Sequence, residues 1–322
     1  MGRSARAAAA DTLEVDGRRL TIRNLDRVVF PRTGTTKGEL LEYYIRVGPV
    51  MLEHLRERQL HMHRYPEGVD GPRFWQKACP EHRPDWVPVV PVWSRDKQAD
   101  IEYCVVNELA TLLWAVNLGS IELHTALHRR DDLHRPTVLA FDLDPGEGVG
   151  LAECCEVALE LRDLFEGAGG LLSLAKTSGS KGLQVYVPLN SETTYGVTKP
   201  LSRKVAELLE ATRSTAVVSR MARALRKGRV LVDWSQNTEH KSMVCAYSVR
   251  AKQRPTVSTP VTWDEVEAVA GGADPHRLVF EMSDVLERID EHADVFEPVL
   301  SARQDLSIDV VEQPGDVGRL DV

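Results

Sequence analysis

Residues 138–148 (VLAFDLDPGEG) carry the pattern that most restricts the fold of this chain. An apolar run holds two aspartates, Asp142 and Asp144, at positions i and i+2, and then breaks at a Pro-Gly pair. Because successive strand side chains point to opposite faces, both carboxylates are expected on one face, away from Phe141 and Leu143. Carboxylates this close repel each other unless a proton or a cation neutralises them, and Mg²⁺ prefers oxygen ligands. Taken alone, such a pair is more often a strand end with solvated aspartates.

A third aspartate, Asp233, ends a second apolar run and gives the pair more weight. Residues 217–229, which precede that run, contain five basic residues and no acidic one. A Ser-Gly-Ser-Lys turn at residues 178–181 offers backbone donors, hydroxyls and a cation to a phosphate. These features together predict metal-dependent phosphoryl or nucleotidyl transfer. A sugar transferase that uses the Asp-x-Asp pair is an alternative, but it explains neither Asp233 nor the basic run.

The charge distribution keeps a nucleic-acid partner open, although the formal net charge is −8. Residues 264–322 hold 16 acidic residues against four arginines, a net charge of −12. Residues 1–263 therefore hold 32 acidic and 36 basic residues, a net charge of +4. The acidic character lies at one end of the chain, and the remainder is mildly basic, which suits polyanion binding.

Periodicity places the motifs on predicted elements. A capping box at Thr36 starts a helix that Gly48-Pro49 is expected to kink or split. Lys37 lies in its first turn, where an anion is favoured, although the pattern alone favours a solvated lysine. Residues 150–165 and 199–212 are predicted helices. The adjacent Phe74 and Trp75 suit either a base-stacking platform or the core, and the pattern alone favours the core.

Cysteine usage and hydropathy bear on the cellular compartment. The five cysteines form no C-x-x-C pair, so reduced thiols in a cytoplasmic protein are expected and a zinc site is not. The apolar part of residues 1–10 is too short for a signal peptide, and no apolar run reaches the length of about 20 residues that a membrane helix needs.

Three longer segments resemble the polymerase/primase domain of bacterial DNA ligase D, the non-homologous end-joining member of the archaeo-eukaryotic primase superfamily. They are residues 141–149 (FDLDPGEGV), 177–183 (TSGSKGL) and 225–237 (LRKGRVLVDWSQN). Shorter matches occur at residues 35–38 (TTKG), 68–70 (GVD), 122–124 (ELH) and 246–250 (AYSVR). The matches extend over roughly residues 20–290 in family order, which makes the resemblance specific.

The resemblance implies a set of roles for individual residues. Asp142, Asp144 and Asp233 would bind two catalytic metal ions, Mn²⁺ or Mg²⁺. The residues that would hold the incoming NTP or dNTP are His124, Ser178, Lys181, Arg226 and Lys241, with Arg64, Arg250 and Gln184 beside them. Asn24, Arg27 and Lys37 would bind the 5′-phosphate of a DNA gap, and Phe74 and Trp75 would stack on the template.

The family pattern after the Ser-Gly-Ser-Lys-Gly turn is Leu-His, whereas this chain has Leu183-Gln184. Glutamine can donate a hydrogen bond, but it cannot carry positive charge or act as an acid near neutral pH. The first hypothesis is an active repair polymerase. The second is a DNA-end or 5′-phosphate binding module whose catalysis is weak because of Gln184.

The expected fold is α/β of the primase-polymerase type, with mixed or antiparallel sheets that form a catalytic cradle and helices packed outside. Residues 1–11 are expected to be a disordered tail, residues 12–295 the catalytic domain, and residues 296–322 an acidic, mobile tail. With no Lys-x-Asp-Gly ligase motif, the expectation is a stand-alone polymerase domain or one excised from a longer protein. The implied partners are gapped or broken DNA, Ku and a DNA ligase. The protein is expected to be a monomer that works in the cytoplasm, at the nucleoid, without contact with a membrane.

Overall fold

The computed structural model describes residues 10–306, which form two compact units. Unit 1 comprises residues 10–125, 244–257 and 280–291, and unit 2 comprises residues 126–243, 258–279 and 292–306. The first strand begins at Ala10, and a short helix covers Pro298–Ser301. The outer parts of both predicted tails lie outside the described residues, so those boundaries stay predictions.

The strands of the described residues are numbered in chain order: β1 Ala10–Val15, β2 Arg18–Arg23, β3 Val28–Phe30, β4 Thr35–Thr36, β5 Leu60–Arg64, β6 Phe74–Gln76, β7 Val89–Ser94, β8 Ala99–Cys104, β9 Ser120–Thr125, β10 His128–Arg129, β11 Asp132–Pro136, β12 Val138–Pro145, β13 Leu174–Thr177, β14 Leu183–Pro188, β15 Val217–Val218, β16 Val230–Asp233, β17 Met243–Val244 and β18 Pro260–Val261. The helices are α1 Lys37–Leu55, α2 Leu109–Asn117, α3 Leu151–Gly169, α4 Tyr195–Thr212, α5 Trp263–Ala270, α6 Met282–His292 and α7 Pro298–Ser301. None of the helices in residues 10–306 has the length and apolar character that crossing a membrane requires.

In the described part of unit 2, a six-stranded sheet has the order β15-β16-β12-β14-β13-β18. Its neighbouring strands are antiparallel, except that β15 and β16 are parallel. The apolar run in β12 is buried, and Phe141 packs against Phe165 of α3 with ring centroids 5.8 Å apart. Helix α3 therefore covers the face opposite to Asp142 and Asp144. The predicted α/β fold with mixed or antiparallel sheets is confirmed.

Helix α1 of unit 1 begins at the predicted capping box. The Thr36 hydroxyl accepts a hydrogen bond from the Glu39 amide, and the Glu39 carboxylate accepts one from the Thr36 amide at 2.7 Å. The predicted split at Gly48-Pro49 is wrong, because one helix continues from Lys37 to Leu55. Burial of one apolar face on both sides of the proline stabilises the helix, which offsets the one hydrogen bond that proline removes.

Phe74 and Trp75 lie on β6, the outer strand of a four-stranded sheet of order β17-β9-β5-β6. Their side chains are 44% and 41% exposed, so the pattern-based interpretation as core residues is wrong. An edge strand has a neighbour on one side only, which leaves its side chains less covered than those of a central strand.

Cys79 and Cys104 form a disulfide, so the expectation that all five cysteines are reduced is wrong. Their Cα atoms lie 4.9 Å apart, a separation typical of disulfides. The Cys79 amide also donates a hydrogen bond to the Glu102 carbonyl near the end of β8, which brings the two cysteines together. Cys154 and Cys155 are buried thiols, as is Cys245.

Candidate active site

The three predicted metal-binding aspartates lie on one face of the six-stranded sheet of unit 2. Asp142 of β12 is paired with Asp233 of β16 on one side and with Gln184 of β14 on the other. Directly paired residues of antiparallel strands point to the same face, and so does Asp144, two residues after Asp142. The pairing of β12 with β16, which lie far apart in the sequence, therefore places the three carboxylates close together.

The electrostatics of this face favour a cation. Burial, together with the nearby charges of Asp144 and Asp233, raises the pKa of Asp142 to about 7, against the effect of a hydrogen bond from Gln184. Ionisation of the Asp142 carboxyl group therefore costs free energy, and a divalent cation bound beside it would offset that cost.

Asp233 is held by its own loop. Its Oδ1 accepts hydrogen bonds from the Ser235 amide at 2.8 Å and the Ser235 hydroxyl at 2.6 Å, and its Oδ2 accepts one from Gln236 at 2.8 Å. The Lys241 ammonium donates to the Ser235 hydroxyl and reaches Asp233 through it. This arrangement fixes the orientation of the carboxylate.

The donor set suits a hard divalent ion such as Mg²⁺ or Mn²⁺, since it consists of carboxylate oxygens. Among residues 10–306, no group of three or more His, Cys, Asp or Glu side chains is arranged to hold a metal ion. Mg²⁺ is commonly bound by one or two carboxylates, with substrate phosphates and water completing its shell. Asp142 and Asp144 fit that kind of site, with Asp233 beside them.

The Ser-Gly-Ser-Lys turn packs closely against β12. The Ser178 hydroxyl accepts hydrogen bonds from the amides of Ser180 and Gly182, and the Ser178 amide donates to the Gly182 carbonyl at 2.9 Å. A Cβ atom at Gly182 would lie 2.0 Å from the Leu143 carbonyl oxygen, so only glycine permits this approach. Lys181, at the end of the turn, is exposed.

The loop that carries Arg226 packs on the Pro-Gly turn after Asp144. The Gly146 amide donates to the Arg229 carbonyl at 2.9 Å, and the Gly228 amide donates to the Glu147 carbonyl at 2.7 Å. Arg226 is half-buried, and its Nη2 donates to the Met221 carbonyl at 2.7 Å. Ser178, Lys181 and Arg226 thus belong to segments that adjoin β12, and their predicted contacts with the nucleotide stay predictions.

His124 and Arg250 belong to unit 1, where both contact the buried Glu122. Glu122 Oε2 lies 3.1 Å from His124 Nε2 and 3.6 Å from His63 Nδ1, and Oε1 lies 3.3 Å from Arg250 Nε. Burial would raise the pKa of Glu122, but hydrogen bonds from His124 and His63 and the Arg250 charge hold it well below its usual range. Sequence reasoning gave Glu122 no role; its i, i+2 spacing to His124 on a strand is the signal that would have found it.

The exposed aromatic pair is anchored by polar neighbours. The Trp75 ring meets His124 edge-on, with centroids 4.8 Å apart, and the Arg64 guanidinium lies 5.0 Å from the centroid of Phe74. Arg64 also donates to the Gln76 side chain at 2.6 Å and to the Leu118 carbonyl at 2.9 Å. These contacts hold the rings of Phe74 and Trp75 at the sheet edge.

A cavity of about 520 Å³ in unit 1 is lined by the residues predicted to bind a 5′-phosphate. Lys37 donates to Asn117 Oδ1 at 2.7 Å and to the Arg23 carbonyl at 3.0 Å, and Arg27 donates to the Pro66 carbonyl at 2.7 Å. Burial, and secondarily the charge of Arg27, lower the pKa of Lys37 to about 8. The cationic and polar residues that line the cavity are Thr21, Arg23, Asn24, Arg27, Lys37, Arg64, Tyr65 and Asn117.

Asn24 has a φ angle of 58°, a left-handed conformation that asparagine tolerates better than most residues. Arg23 and Asn117 are lining residues that sequence reasoning missed. Asn117 is the last residue of α2, 80 positions from Lys37, and no local pattern indicates that the two meet.

Comparison with known proteins identifies the family. The family described as LigD, primase-polymerase domain, matches residues 36–296. The multifunctional non-homologous end joining protein LigD of Mycolicibacterium smegmatis is 36% identical over 283 residues, 87% of this chain and 36% of that protein. The corresponding DNA repair protein of Mycobacterium tuberculosis H37Rv is 37% identical over 287 residues, 87% of this chain and 37% of that protein.

A solved structure shows the same fold. It is the polymerase domain from Mycobacterium tuberculosis ligase D in complex with DNA, with a TM-score of 0.81 and 35% sequence identity. The match covers 89% of this chain and 99% of that chain, whereas the chain spans little more than a third of the full-length relatives. The chain therefore belongs to the LigD primase-polymerase domain family.

Proposed function

We propose that the chain is a metal-dependent, template-directed DNA repair polymerase that adds NTP or dNTP to a primer at gaps or double-strand-break ends. The observation that carries this proposal is the sheet face shared by Asp142, Asp144 and Asp233, with the phosphate-binding type of turn at Ser178 beside it. The solved relative is a polymerase domain in complex with DNA, and the full-length relatives are non-homologous end joining proteins, which supports a role at DNA ends.

In this reaction the primer 3′-hydroxyl oxygen bonds to the α-phosphorus of the nucleotide, and pyrophosphate leaves. Two Mn²⁺ or Mg²⁺ ions bound at the carboxylates would activate the attacking oxygen and stabilise the leaving group. Lys181, Arg226 and Lys241 supply positive charge to the triphosphate, and the Ser178 turn supplies hydrogen-bond donors. Gln184 completes the proposed set in unit 2. In unit 1, Glu122 fixes the orientation of His124 and Arg250, and these two residues and Arg64 stay predicted nucleotide contacts.

The DNA contacts that we propose lie in unit 1. Asn24, Arg27 and Lys37 bind the 5′-phosphate on the downstream side of a gap, because the cavity that they line offers cations and amide donors to an anion. Phe74 and Trp75 stack on the template, since their rings are exposed at a sheet edge. Phosphate contacts of this kind make binding fall steeply as the salt concentration rises.

Preference for a 5′-phosphate is expected to depend on pH through Lys37. With its pKa lowered to about 8 in the free protein, Lys37 is charged at pH 7.5 and mostly neutral at pH 9, whereas a bound phosphate favours the charged form. The affinity ratio of phosphorylated to unphosphorylated gapped DNA should therefore fall by up to about tenfold from pH 7.5 to pH 9. Fluorescence anisotropy with both DNAs measures that ratio.

Two variants of Lys37 serve as controls for this prediction. Lys37→Arg keeps the charge at every pH tested, so its ratio should not change with pH. Lys37→Ala should weaken binding to phosphorylated gaps more than to unphosphorylated ones. Equal losses on both DNAs, or the same pH dependence in Lys37→Arg, would remove Lys37 from the phosphate pocket.

The direct test of the proposed function is extension of a primer on a gapped, 5′-phosphorylated duplex with Mn²⁺ and each NTP or dNTP. We expect template-matched addition that EDTA abolishes. No incorporation by folded wild-type protein, with tight binding to 5′-phosphorylated ends retained, would instead support the second candidate, a DNA-end binding module. That candidate predicts that Gln184→His restores turnover, and it rests on the contact between Gln184 and Asp142.

A polymerase for broken ends would work in the cytoplasm, at the nucleoid. Ku and a DNA ligase are the partners that we propose, since one protects the broken end and the other seals the filled gap. Co-purification of the chain with each of them on a broken duplex tests this part of the proposal separately.

A further inference from the structure

A buried lysine lies in line with the carboxylate site of unit 2. Lys176 of β13 is paired with Gln184 of β14, and Gln184 is paired with Asp142 of β12. The three side chains therefore lie on one face of the sheet, in a row that crosses three strands. Lys176 is 1% exposed and Gln184 is 3% exposed, so both side chains are shielded from bulk solvent.

Hydrogen bonds connect the row from end to end. The Lys176 ammonium donates to Gln184 Oε1, and Gln184 Nε2 donates to Asp142 Oδ1 at 2.9 Å. An ammonium group has donors only, so the Gln184 oxygen has to face Lys176. The amide nitrogen then has to face Asp142, which means that the lysine determines the orientation of the glutamine.

Lys176 is itself held in place by groups on its own side of Gln184. Its ammonium donates to the Ser258 hydroxyl at 2.7 Å, and that hydroxyl donates to the Thr177 carbonyl at 2.8 Å. The ammonium also lies 5.5 Å from the centroid of the Tyr186 ring, within the range of a cation–π contact. The end of the row remote from Asp142 is therefore anchored.

Without Lys176, the Gln184 oxygen keeps a long hydrogen bond from the Tyr186 hydroxyl at 3.4 Å. A hydroxyl can also accept a hydrogen bond, so the amide of Gln184 could then rotate by half a turn. Its oxygen would then face the carboxylate of Asp142, and two acceptors cannot form a hydrogen bond. Lys176 thus keeps the Gln184 amide nitrogen directed at Asp142, although Lys176 forms its own hydrogen bond with Gln184 and not with Asp142.

We propose that Lys176 is a positioning residue of the carboxylate site, which holds Gln184 so that its amide binds Asp142 Oδ1 and leaves Oδ2 to ligate a divalent cation. The proposal rests on the metal-dependent function proposed above. It also explains how a glutamine can work at position 184: its amide can donate to Asp142 reliably only when a second residue fixes which end of the amide faces the carboxylate. Partners that orient a metal ligand in this way contribute strongly to metal affinity.

The test is a double-mutant cycle on Mn²⁺ affinity, measured by titration calorimetry on the full chain without DNA or nucleotide. Lys176→Met should weaken Mn²⁺ binding by about 10- to 100-fold when Gln184 is present. In the Gln184→Leu background the same change should weaken Mn²⁺ binding much less, because the amide is absent and only the direct interaction of the Lys176 charge with Asp142 is lost. Lys199→Met, at an exposed position on α4, is the matched control and should bind Mn²⁺ like the wild type.

Two outcomes would overturn the proposal alone: unchanged Mn²⁺ affinity in Lys176→Met, or equal weakening in both backgrounds while the wild type binds Mn²⁺. Failure of the wild type to bind Mn²⁺ would overturn the metal-dependent function as well. Should Lys176→Met not fold, Ser258→Ala removes only one acceptor of the ammonium. It should weaken Mn²⁺ binding by a few-fold in the wild-type background and not in the Gln184→Leu background, and unchanged affinity in Ser258→Ala would likewise overturn the proposal.

Discussion

Replacing Asp142 by asparagine should lower primer extension by at least about 100-fold, the order of loss seen when a transition-state-stabilising group is removed. The same substitution should make the metal-free protein more stable, since it removes a buried carboxylate that Asp144 and Asp233 repel. Asparagine keeps the shape of the side chain and can still accept the hydrogen bond from Gln184. Activity and stability are thus expected to change in opposite directions.

The pH dependence of the stability gain has a defined sign. The pKa of Asp142 is raised in the folded state from 3.8 to about 7, so the unfolded chain releases this proton more readily than the folded one. Ionisation therefore begins to favour unfolding near pH 4, and its cost stops growing above about pH 7. Asp142→Asn should remove on the order of 4 kcal/mol of destabilisation at pH 8, and less than half of that at pH 5.

Urea unfolding in EDTA at pH 5 and pH 8, together with primer extension in Mn²⁺, measures both effects. Asp163→Asn on α3 is a suitable control, because its carboxylate is 68% exposed and forms a surface ion pair with Arg162. It should leave extension unchanged and alter stability by less than about 0.5 kcal/mol. A loss of metal-free stability in Asp142→Asn at pH 8 would contradict the repulsion that we assign to the three carboxylates.

The local sequence pattern was sufficient to predict those features of the structure that depend on residues close together in the chain. Strand periodicity predicts that Asp142 and Asp144 share a face, and the capping box at Thr36 predicts where α1 begins. Both features arise within a few residues of chain, so the sequence contains all the interactions that produce them.

The remaining features depend on pairing between distant strands. Asp233 lies opposite Asp142 because β16 joins β12 in one register, and spacing along the chain does not encode that register. Lys176, next to a polar turn, is typical of a solvated lysine, and only the sheet shows that Gln184 and Ser258 receive its hydrogen bonds. Buried charged residues such as Lys176 are expected at functional sites, because function there requires residues that local sequence preferences do not predict.

The second large effect is expected at Gly182, where the Ser178 turn touches β12. A Cβ atom at this position would lie 2.0 Å from the Leu143 carbonyl oxygen, so Gly182→Ala should push the turn off the strand and lower the free energy of unfolding by about 1–3 kcal/mol. NTP binding should weaken with it, because the shift breaks the hydrogen bonds between Ser178 and residue 182. Gly167→Ala on α3 is the matched control: nothing lies within 4 Å of its added Cβ, and it should stabilise the protein by about 0.5–1 kcal/mol. Urea unfolding and NTP titration of both variants distinguish the two sites, and wild-type stability in Gly182→Ala would show that the close approach to Leu143 does not constrain the turn.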